Sequence, residues 1–244
     1  MVTKVQQWDE ADWGDTVSAV GVGSRLYTVE RDGTLYSTHS VTGNSKAIGE
    51  GYRTRLLIAS GYEDGDLYAI ERNGNLYKID RKTGDWEALS EDGDWGDTVA
   101  ADVNGNMLYS VESDGTLYAT DLEDFDEDAV ELDTGYDTRA LWASGDHVYV
   151  LENDGTLYKV DAESGEYERF GDAGAYADTI AATVHDGHLY AVEDDGALGV
   201  TSLEDGSYTE HTGDDLSDVK RLFSTAQKVY AIHRDGTLSA LSLD

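Results

Sequence analysis

The sequence contains no cysteine and no proline in its 244 residues. Without cysteine, a disulfide framework, a cysteine-ligated metal and a cysteine nucleophile are all excluded. No run of about 18 apolar residues occurs, so we expect no membrane-spanning segment. The first residues, MVTKVQQWDEADWG, have no apolar stretch of the kind found in a secretory signal, so ordinary secretion is not expected.

Basic residues are scarce. The chain has 17 lysines and arginines against 51 acidic residues, which gives a formal net charge of −34, and only seven of the basic residues are lysine. Such a surface repels nucleic acid and anionic membranes, so we expect neither as a partner. At about 1 M salt the Debye length falls to about 3 Å, and self-repulsion is mostly screened. The composition therefore favours a halophilic setting; an acidic, calcium-loaded protein is the alternative.

A five-residue turn motif is repeated along the whole chain. DGTLY occupies residues 32–36, 114–118 and 154–158, and variants of it occupy 73–77, 195–199 and 235–239. The glycines of the six copies are Gly33, Gly74, Gly115, Gly155, Gly196 and Gly236. Their constant spacing of 40 or 41 residues is typical of the blades of a β-propeller.

Each copy contains the pattern of four short strands, A to D. In the fourth copy these are TRALWAS (138–144), HVYVLE (147–152), TLYKVD (156–161) and YERFG (167–171). Consecutive apolar residues, such as Leu-Tyr, indicate strands that are buried on both faces. The pattern predicts an all-β fold: a six-bladed β-propeller with four antiparallel strands per blade.

The two ends of the sequence predict how the propeller closes. The sixth copy lacks strand D, whereas an additional strand, TKVQQWD (3–9), precedes the first copy. We therefore expect the N-terminal strand to close the ring in the last blade. The prediction is one domain over 1–244, with a closing strand and linker over 1–12. The blades then cover approximately 13–50, 51–92, 93–134, 135–172, 173–212 and 213–244.

Two of the copies resemble a known family of repeats. NGNLYKIDRKTGDWEAL (73–89) and DGTLYKVDAESGEYERF (154–170) share the pattern Gly-x-Leu-Tyr-x-hydrophobic-Asp-x-x-Thr/Ser-Gly. This pattern resembles the propeller repeats of quinoproteins, which carry pyrroloquinoline quinone on eight blades. The resemblance implies blade architecture. No residue of this chain corresponds to a cofactor ligand of that family, so we expect no cofactor.

Charged residues recur at equivalent positions near the repeated turns. Arg55, Arg139 and Lys220 follow the start of strand A in the even-numbered blades, where they could form an anion site. A two-residue A–B turn would instead place Arg139 opposite Glu152, Arg55 opposite Glu71 and Lys220 opposite His233, as ordinary cross-strand pairs. Five glutamates precede the turns: Glu30, Glu71, Glu112, Glu152 and Glu193.

Aromatic residues recur in the D–A loops, two or three residues before strand A. They are Trp13, Tyr52, Trp95, Tyr136 and Tyr176. Aromatic rings beside carboxylates are typical of sugar recognition, so these residues are the predicted binding face for a glycan or a protein. The alternative is that the rings wedge between blades.

One acidic loop has the spacing of a calcium site. Asp124, Asp126 and Asp128 stand at alternate positions, but Ala129 and Gly135 replace the glycine and the glutamate that a calcium loop requires. Calcium is therefore a weak expectation beside a solvated acidic loop.

The sequence as a whole predicts a non-enzymatic binding or assembly module of a halophilic system. It would be a viral structural or host-attachment protein on the virion surface, with a surface protein or glycan as its partner. The alternatives are an intracellular protein-interaction scaffold in the cytoplasm of a halophile, or a glycan hydrolase or lyase with its site in the central channel.

Overall fold

The computed structural model describes residues 1–8, 12–61, 65–125 and 129–243. These residues form 24 strands, and none of them belongs to a helix that could cross a membrane. In chain order the strands are β1 (Val2–Gln7), β2 (Thr16–Val22), β3 (Arg25–Glu30), β4 (Leu35–His39), β5 (Ser45–Gly49), β6 (Thr54–Ala59), β7 (Leu67–Glu71), β8 (Leu76–Ile79), β9 (Trp86–Ser90), β10 (Thr98–Asn104), β11 (Met107–Glu112), β12 (Leu117–Asp121), β13 (Val130–Asp133), β14 (Thr138–Ser144), β15 (His147–Glu152), β16 (Leu157–Asp161), β17 (Tyr167–Arg169), β18 (Thr179–His185), β19 (His188–Glu193), β20 (Leu198–Ser202), β21 (Tyr208–His211), β22 (Val219–Ser224), β23 (Val229–His233) and β24 (Leu238–Leu243).

Within the described residues the strands form six antiparallel sheets of four strands each. Blades 1 to 5 take consecutive strands: β2–β5, β6–β9, β10–β13, β14–β17 and β18–β21. Blade 6 has the order β1-β24-β23-β22, so the N-terminal strand is its outer strand. Val2 pairs with Leu243, and Gln7 pairs with Leu238. The six-bladed β-propeller and its closing strand are confirmed.

The chain divides into two compact units. The first unit contains blades 5, 6 and 1, and the second contains blades 2, 3 and 4. In the first unit, buried side chains of β20, β22 and β24 pack with Val2 of β1. In the second unit, Leu117 of β12 packs with Leu141 of β14, and Leu76 of β8 packs with Val103 of β10. Each core therefore lies between consecutive blades of its unit.

The structure explains why the turn motif is repeated. The six glycines of the motif have φ between 82° and 90°, a conformation that glycine adopts without steric cost. A Cβ atom on Gly33 would lie 2.6 Å from the carbonyl oxygen of Tyr52, so this turn also requires close backbone approach. Asp32 accepts the backbone N–H of Thr34 at 2.9 Å and fixes the turn from the other side. The motif is therefore structural.

The carboxyl group of Asp102, in the second unit, is shielded from solvent although the residue as a whole is half-buried. Asp102 of β10 accepts the backbone N–H groups of Ala143 and Val103, both at 2.9 Å. Burial raises the pKa of Asp102 to about 7, although both hydrogen bonds favour the charged form. In the unfolded chain this carboxyl ionises near its ordinary pKa of about 3.9. Because the folded pKa is the higher one, the folded state loses stability relative to the unfolded state as the pH rises from about 4 to about 7.

Replacement of this carboxyl group should change the pH dependence of stability. We expect the free energy of unfolding of Asp102→Asn to increase relative to that of the original chain by about 1–3 kcal/mol between pH 5 and pH 8, because only the original chain loses stability over this range. Urea titrations at several pH values measure this difference. The control is Asp146→Asn, an exposed position in the same unit. A difference for Asp102→Asn that stays constant with pH would contradict the expectation.

Candidate binding site

The five predicted aromatic residues are buried. The exposed fractions are 6% for Trp13, 8% for Tyr52, Trp95 and Tyr136, and 4% for Tyr176. Trp95 packs with Ile58, Tyr68 and Val103, which belong to β6, β7 and β10. The expectation that these rings offer open stacking surfaces is therefore corrected: all five rings are buried, and Trp95 lies between the strands of blades 2 and 3, as the alternative predicts. Whether the surrounding surface binds a partner stays a prediction.

The backbone of each aromatic residue explains its burial. Tyr52 donates its N–H to the carbonyl of Gly33 at 3.0 Å, and Trp95 donates to Gly74 at 3.0 Å. The equivalent backbone bond joins Tyr136 to Gly115, Tyr176 to Gly155 and Trp13 to Gly236. In the remaining D–A loop, Leu216 donates its N–H to the carbonyl of Gly196. The D–A loop is thus anchored on the glycine turn of the preceding blade, and this holds its side chain against the interblade core.

The predicted cross-strand pairing of the three basic residues is wrong by one residue. Thr138 lies opposite Glu152, and the register shifts before Ala140, so that Arg139 is the extra residue of a β-bulge. Equivalent register shifts occur in all six blades. Arg55 and Lys220 are the bulged residues of β6 and β22. A bulge redirects the side chain away from its cross-strand neighbour.

The redirected basic side chains bind carbonyl groups of the following D–A loop. Arg139 donates to the carbonyl of Tyr176 at 2.6 Å, and Arg55 donates to the carbonyl of Gly96 at 2.7 Å. Lys220 donates to the carbonyls of Gly14 and Thr16 at 2.8 Å and 3.0 Å. All three therefore have structural contacts with carbonyl oxygens instead of with glutamates. An anion site at these residues stays a prediction.

The glutamates before the turns accept hydrogen bonds from strand A. Thr16 donates to Glu30 at 2.8 Å, and Thr54 donates to Glu71 at 2.7 Å. Glu152 accepts the backbone N–H of Asp137 at 3.1 Å. Burial raises the pKa of Glu30, and it raises the pKa of Glu112 in the same way. The raised pKa therefore recurs between blades and does not by itself mark a reaction centre.

Only part of the predicted calcium loop can be placed. Asp124 is exposed. Asp126 and Asp128 lie outside the described residues, so the calcium site stays a prediction.

A cavity of about 290 Å³ opens on blade 1, within the first unit. Its lining combines carboxylates, aromatic rings and hydroxyl groups. The lining residues are Asp12, Trp13, Asp15, Thr28, Glu30, Asp32, Tyr36, Thr38, Gly43 and Ser45. We call this cavity the blade 1 pocket. Two of its residues, Trp13 and Glu30, belong to sets that the sequence singled out.

The carboxylates of the blade 1 pocket are held in place by local hydrogen bonds. Asp12 accepts the backbone N–H of Gly14 at 2.8 Å, and Thr16 donates to Glu30. The backbone N–H of Thr34 lowers the pKa of Asp32, which is therefore ionised at neutral pH. An exposed ion pair of 3.5 Å joins Asp15 to Arg31. The pocket is thus strongly acidic, and its acceptors are fixed before a ligand arrives.

Two tryptophans lie at one side of the blade 1 pocket. Trp13 lines it, and the ring centroid of Trp8 lies 6.2 Å from that of Trp13. Trp8 has φ of 50°, which is unusual for a bulky residue, and its ring lies where a Cβ atom on Gly43 would be. The indole N–H of Trp13 has no acceptor among the residues that the structure describes. This nitrogen is itself shielded from solvent, so the unpaired donor is a local cost of the packing and is not a group that the open pocket presents to a ligand.

A second cavity, of about 380 Å³, lies in the same unit between β1, β23 and β24. Val5, Leu241 and Leu243 contribute apolar side chains to it, and Lys228 contributes the charge. Burial lowers the pKa of His185 in its wall, so this imidazole is neutral at pH 7. This second cavity lacks the fixed carboxylate acceptors that line the blade 1 pocket.

Comparisons with known proteins identify the fold alone. No family model matches the chain, and no curated protein matches it. A structural genomics protein of unknown function from Bacteroides thetaiotaomicron has a TM-score of 0.71 at 13% identity, over 98% of this chain and 72% of that one. Virginiamycin B lyase from Staphylococcus aureus has a TM-score of 0.63 at 12% identity, over 100% and 99%. BamB from Moraxella catarrhalis has a TM-score of 0.54 at 13% identity, over 92% and 71%.

Proposed function

We propose that the chain is a non-enzymatic binding module and that the blade 1 pocket is its ligand site. The observation that carries this proposal is the pocket itself, in which fixed carboxylates and aromatic side chains line one open cavity. Small-ligand sites generally combine apolar and aromatic walls with a few convergent polar groups. The β-propeller supplies a scaffold of short strands that holds such groups rigidly, so the site is preorganised.

A binding role is favoured over a hydrolase by the repetition of the acidic groups. Glycoside hydrolysis requires an acid of raised pKa and a second carboxylate across the scissile bond. Burial raises the pKa of Glu30, but it also raises the pKa of Glu112, which accepts a hydrogen bond from the equivalent threonine of blade 3, Thr98. The shift therefore follows from the blade architecture. The resemblance of blades 2 and 4 to quinoprotein repeats is likewise taken as one of architecture.

The setting that we propose is concentrated salt, on the virion of a virus that infects a halophile. The formal charge of −34 supports the salt requirement, because molar salt screens such self-repulsion. The partner is then a glycan or a glycan-bearing protein of the host surface.

Removal of one pocket ring should abolish attachment. Tyr36→Ala removes an aromatic wall of the blade 1 pocket, and we expect its binding to halophile cells in molar KCl to fall by about tenfold or more, as for an aromatic anchor worth at least 1.4 kcal/mol. Flow cytometry with fluorescently labelled protein measures this binding. Thermal unfolding of the same variant checks that the fold is kept.

The matched control is Tyr118→Ala. Tyr118 is the second residue of strand C in blade 3, as Tyr36 is in blade 1, and both side chains are half-buried. We expect the control variant to bind as the original chain does. Equal binding by Tyr36→Ala and Tyr118→Ala would reject the blade 1 pocket as the ligand site.

A further inference from the structure

Blade 1 lacks an aromatic ring that three other blades have at the start of strand D. In blades 2, 4 and 5 the residue that pairs with the fourth residue of strand C is Trp86, Tyr167 and Tyr208, respectively. In blade 1 the equivalent residue is Ser45, which pairs with Thr38. Because Ser45 is small, blade 1 has an open space where each of the other three blades has a ring.

The ring of strand D covers the second residue of strand C. The ring centroids of Trp86 and Tyr77 are 4.8 Å apart, and those of Tyr167 and Tyr158 are 5.7 Å apart. In blade 5 the second residue is Gly199, and a Cβ atom there would lie 2.7 Å from the ring of Tyr208. The same side-by-side packing thus recurs in three blades.

Blade 4 shows which space is left open in blade 1. There the ring of Tyr167 lies 6.3 Å from that of Tyr136, and the ring of Tyr158 lies 6.2 Å from it. The residues of blade 1 at these three positions are Ser45, Trp13 and Tyr36, and all three line the blade 1 pocket. The pocket is therefore the space that a six-membered ring fills in blade 4.

We propose that this space accepts one ring of a saccharide, an inference that rests on the proposed binding function of the pocket. One face of a sugar ring presents C–H groups, which pack on an aromatic ring such as that of Tyr36. Its hydroxyl groups donate to the carboxylates of Asp12, Glu30 and Asp32.

Anionic and cationic ligands fit the lining of the blade 1 pocket less well than an uncharged sugar. Four carboxylates line the pocket, so an anion would be repelled. A quaternary ammonium group would attract the carboxylates and the aromatic rings, but it would form no hydrogen bond with the hydroxyl groups of Thr28 and Ser45 that also line the pocket. The volume of about 290 Å³ is near the lower end of the range of about 300–1,000 Å³ for ligand pockets, which suits a single ring.

Filling the space with the missing ring tests this inference. Ser45→Tyr copies blade 4, and Ser45→Trp copies blade 2 as a second filling variant; the control Val130→Tyr adds the same ring to strand D of blade 3, outside the pocket. Ser45 and Val130 are both exposed on outer strands, so the three variants should keep the melting temperature of the original chain. The probes are glucose, galactose, mannose and N-acetylglucosamine, titrated by calorimetry in molar KCl.

We expect at least one of these sugars to bind the original chain and Val130→Tyr with similar affinity. Its affinity for both filling variants should fall by about tenfold or more, because the added ring occupies its place. Equal sugar affinity in the filling variants would overturn the assignment of the site. Binding of tetramethylammonium but of none of the sugars would overturn the ligand class. Loss of cell binding in Tyr36→Ala without any sugar binding would leave the proposed function standing and reject this inference.

Discussion

Deletion of Met1–Trp8 is expected to destabilise the protein by at least about 3 kcal/mol, which lowers the melting temperature of a chain of this size by about 6–12 °C. These residues contain β1, the outer strand of blade 6. Without β1, the polar backbone groups of β24 lose their partners along one edge, and an open edge strand is also a site of aggregation. Thermal unfolding followed by circular dichroism measures the change.

The contacts of β1 on its other side increase the expected effect. Val2 is 1% exposed and packs with Leu241 and Val200; exposing such a side chain costs about 1.5–3 kcal/mol. Val2 also donates its N–H to the carbonyl of Thr212 at 3.2 Å, and its carbonyl accepts the N–H of Asp214 at 3.1 Å. Strand β1 is therefore held from both sides.

Two single substitutions test whether the packing of the Val2 side chain, and not only the presence of strand β1, stabilises the protein. Val2→Ala should lower the melting temperature, whereas Val5→Ala, at a position that is 50% exposed, should change it by less than about 2 °C. A deletion variant with the melting temperature of the original chain would show that blade 6 is stable with three strands and would contradict the closure argument.

The sequence predicts the blades well because their signals are local. The six glycine turns depend on positive φ, which Asp-Gly and Asn-Gly pairs indicate in a sequence. In blade 4 the predicted bounds of strands A and B, 138–144 and 147–152, coincide with β14 and β15. Strand D is less well predicted, since β17 ends at Arg169 and not at residue 171. A short outer strand has no buried face to fix its length.

The β-bulge after the first residue of strand A was not predictable. Alternation of polar and apolar residues normally reveals the register, but strands that are buried on both faces lack this alternation. Arg139 was therefore placed opposite Glu152, whereas Thr138 occupies that position. One inserted residue is enough to turn the basic side chain toward a carbonyl group of the next loop.

The blade 1 pocket was missed although its signal is in the sequence. The aromatic residues of the D–A loops are predicted to form an accessible binding face because loops are usually exposed. Regular recurrence at one offset, as shown by Trp95 and Tyr136, is instead the behaviour of an interblade position. The informative position is the one where the copies differ: Ser45 stands where Trp86 and Tyr167 stand in other blades.

Low salt is expected to destabilise the chain strongly. The melting temperature should rise steeply when KCl is first added to dilute buffer and more slowly toward molar KCl, because the Debye length falls from about 30 Å at 0.01 M to about 3 Å at 1 M. The formal charge of −34 is the cause, since 51 carboxylates repel one another on the surface. NaCl should act like KCl if screening is the mechanism.

A variant with fewer carboxylates tests the same charge repulsion by changing the protein instead of the salt concentration. Asp92→Asn, Asp172→Asn and Glu204→Gln alter exposed loop positions, and the triple variant carries three fewer negative charges. Its melting temperature should exceed that of the original chain in dilute buffer, and the two values should converge in molar KCl, where the repulsion is screened in both chains. A melting temperature that is flat or falls with added KCl, with no gap between the two chains at low salt, would remove the basis for a halophilic setting.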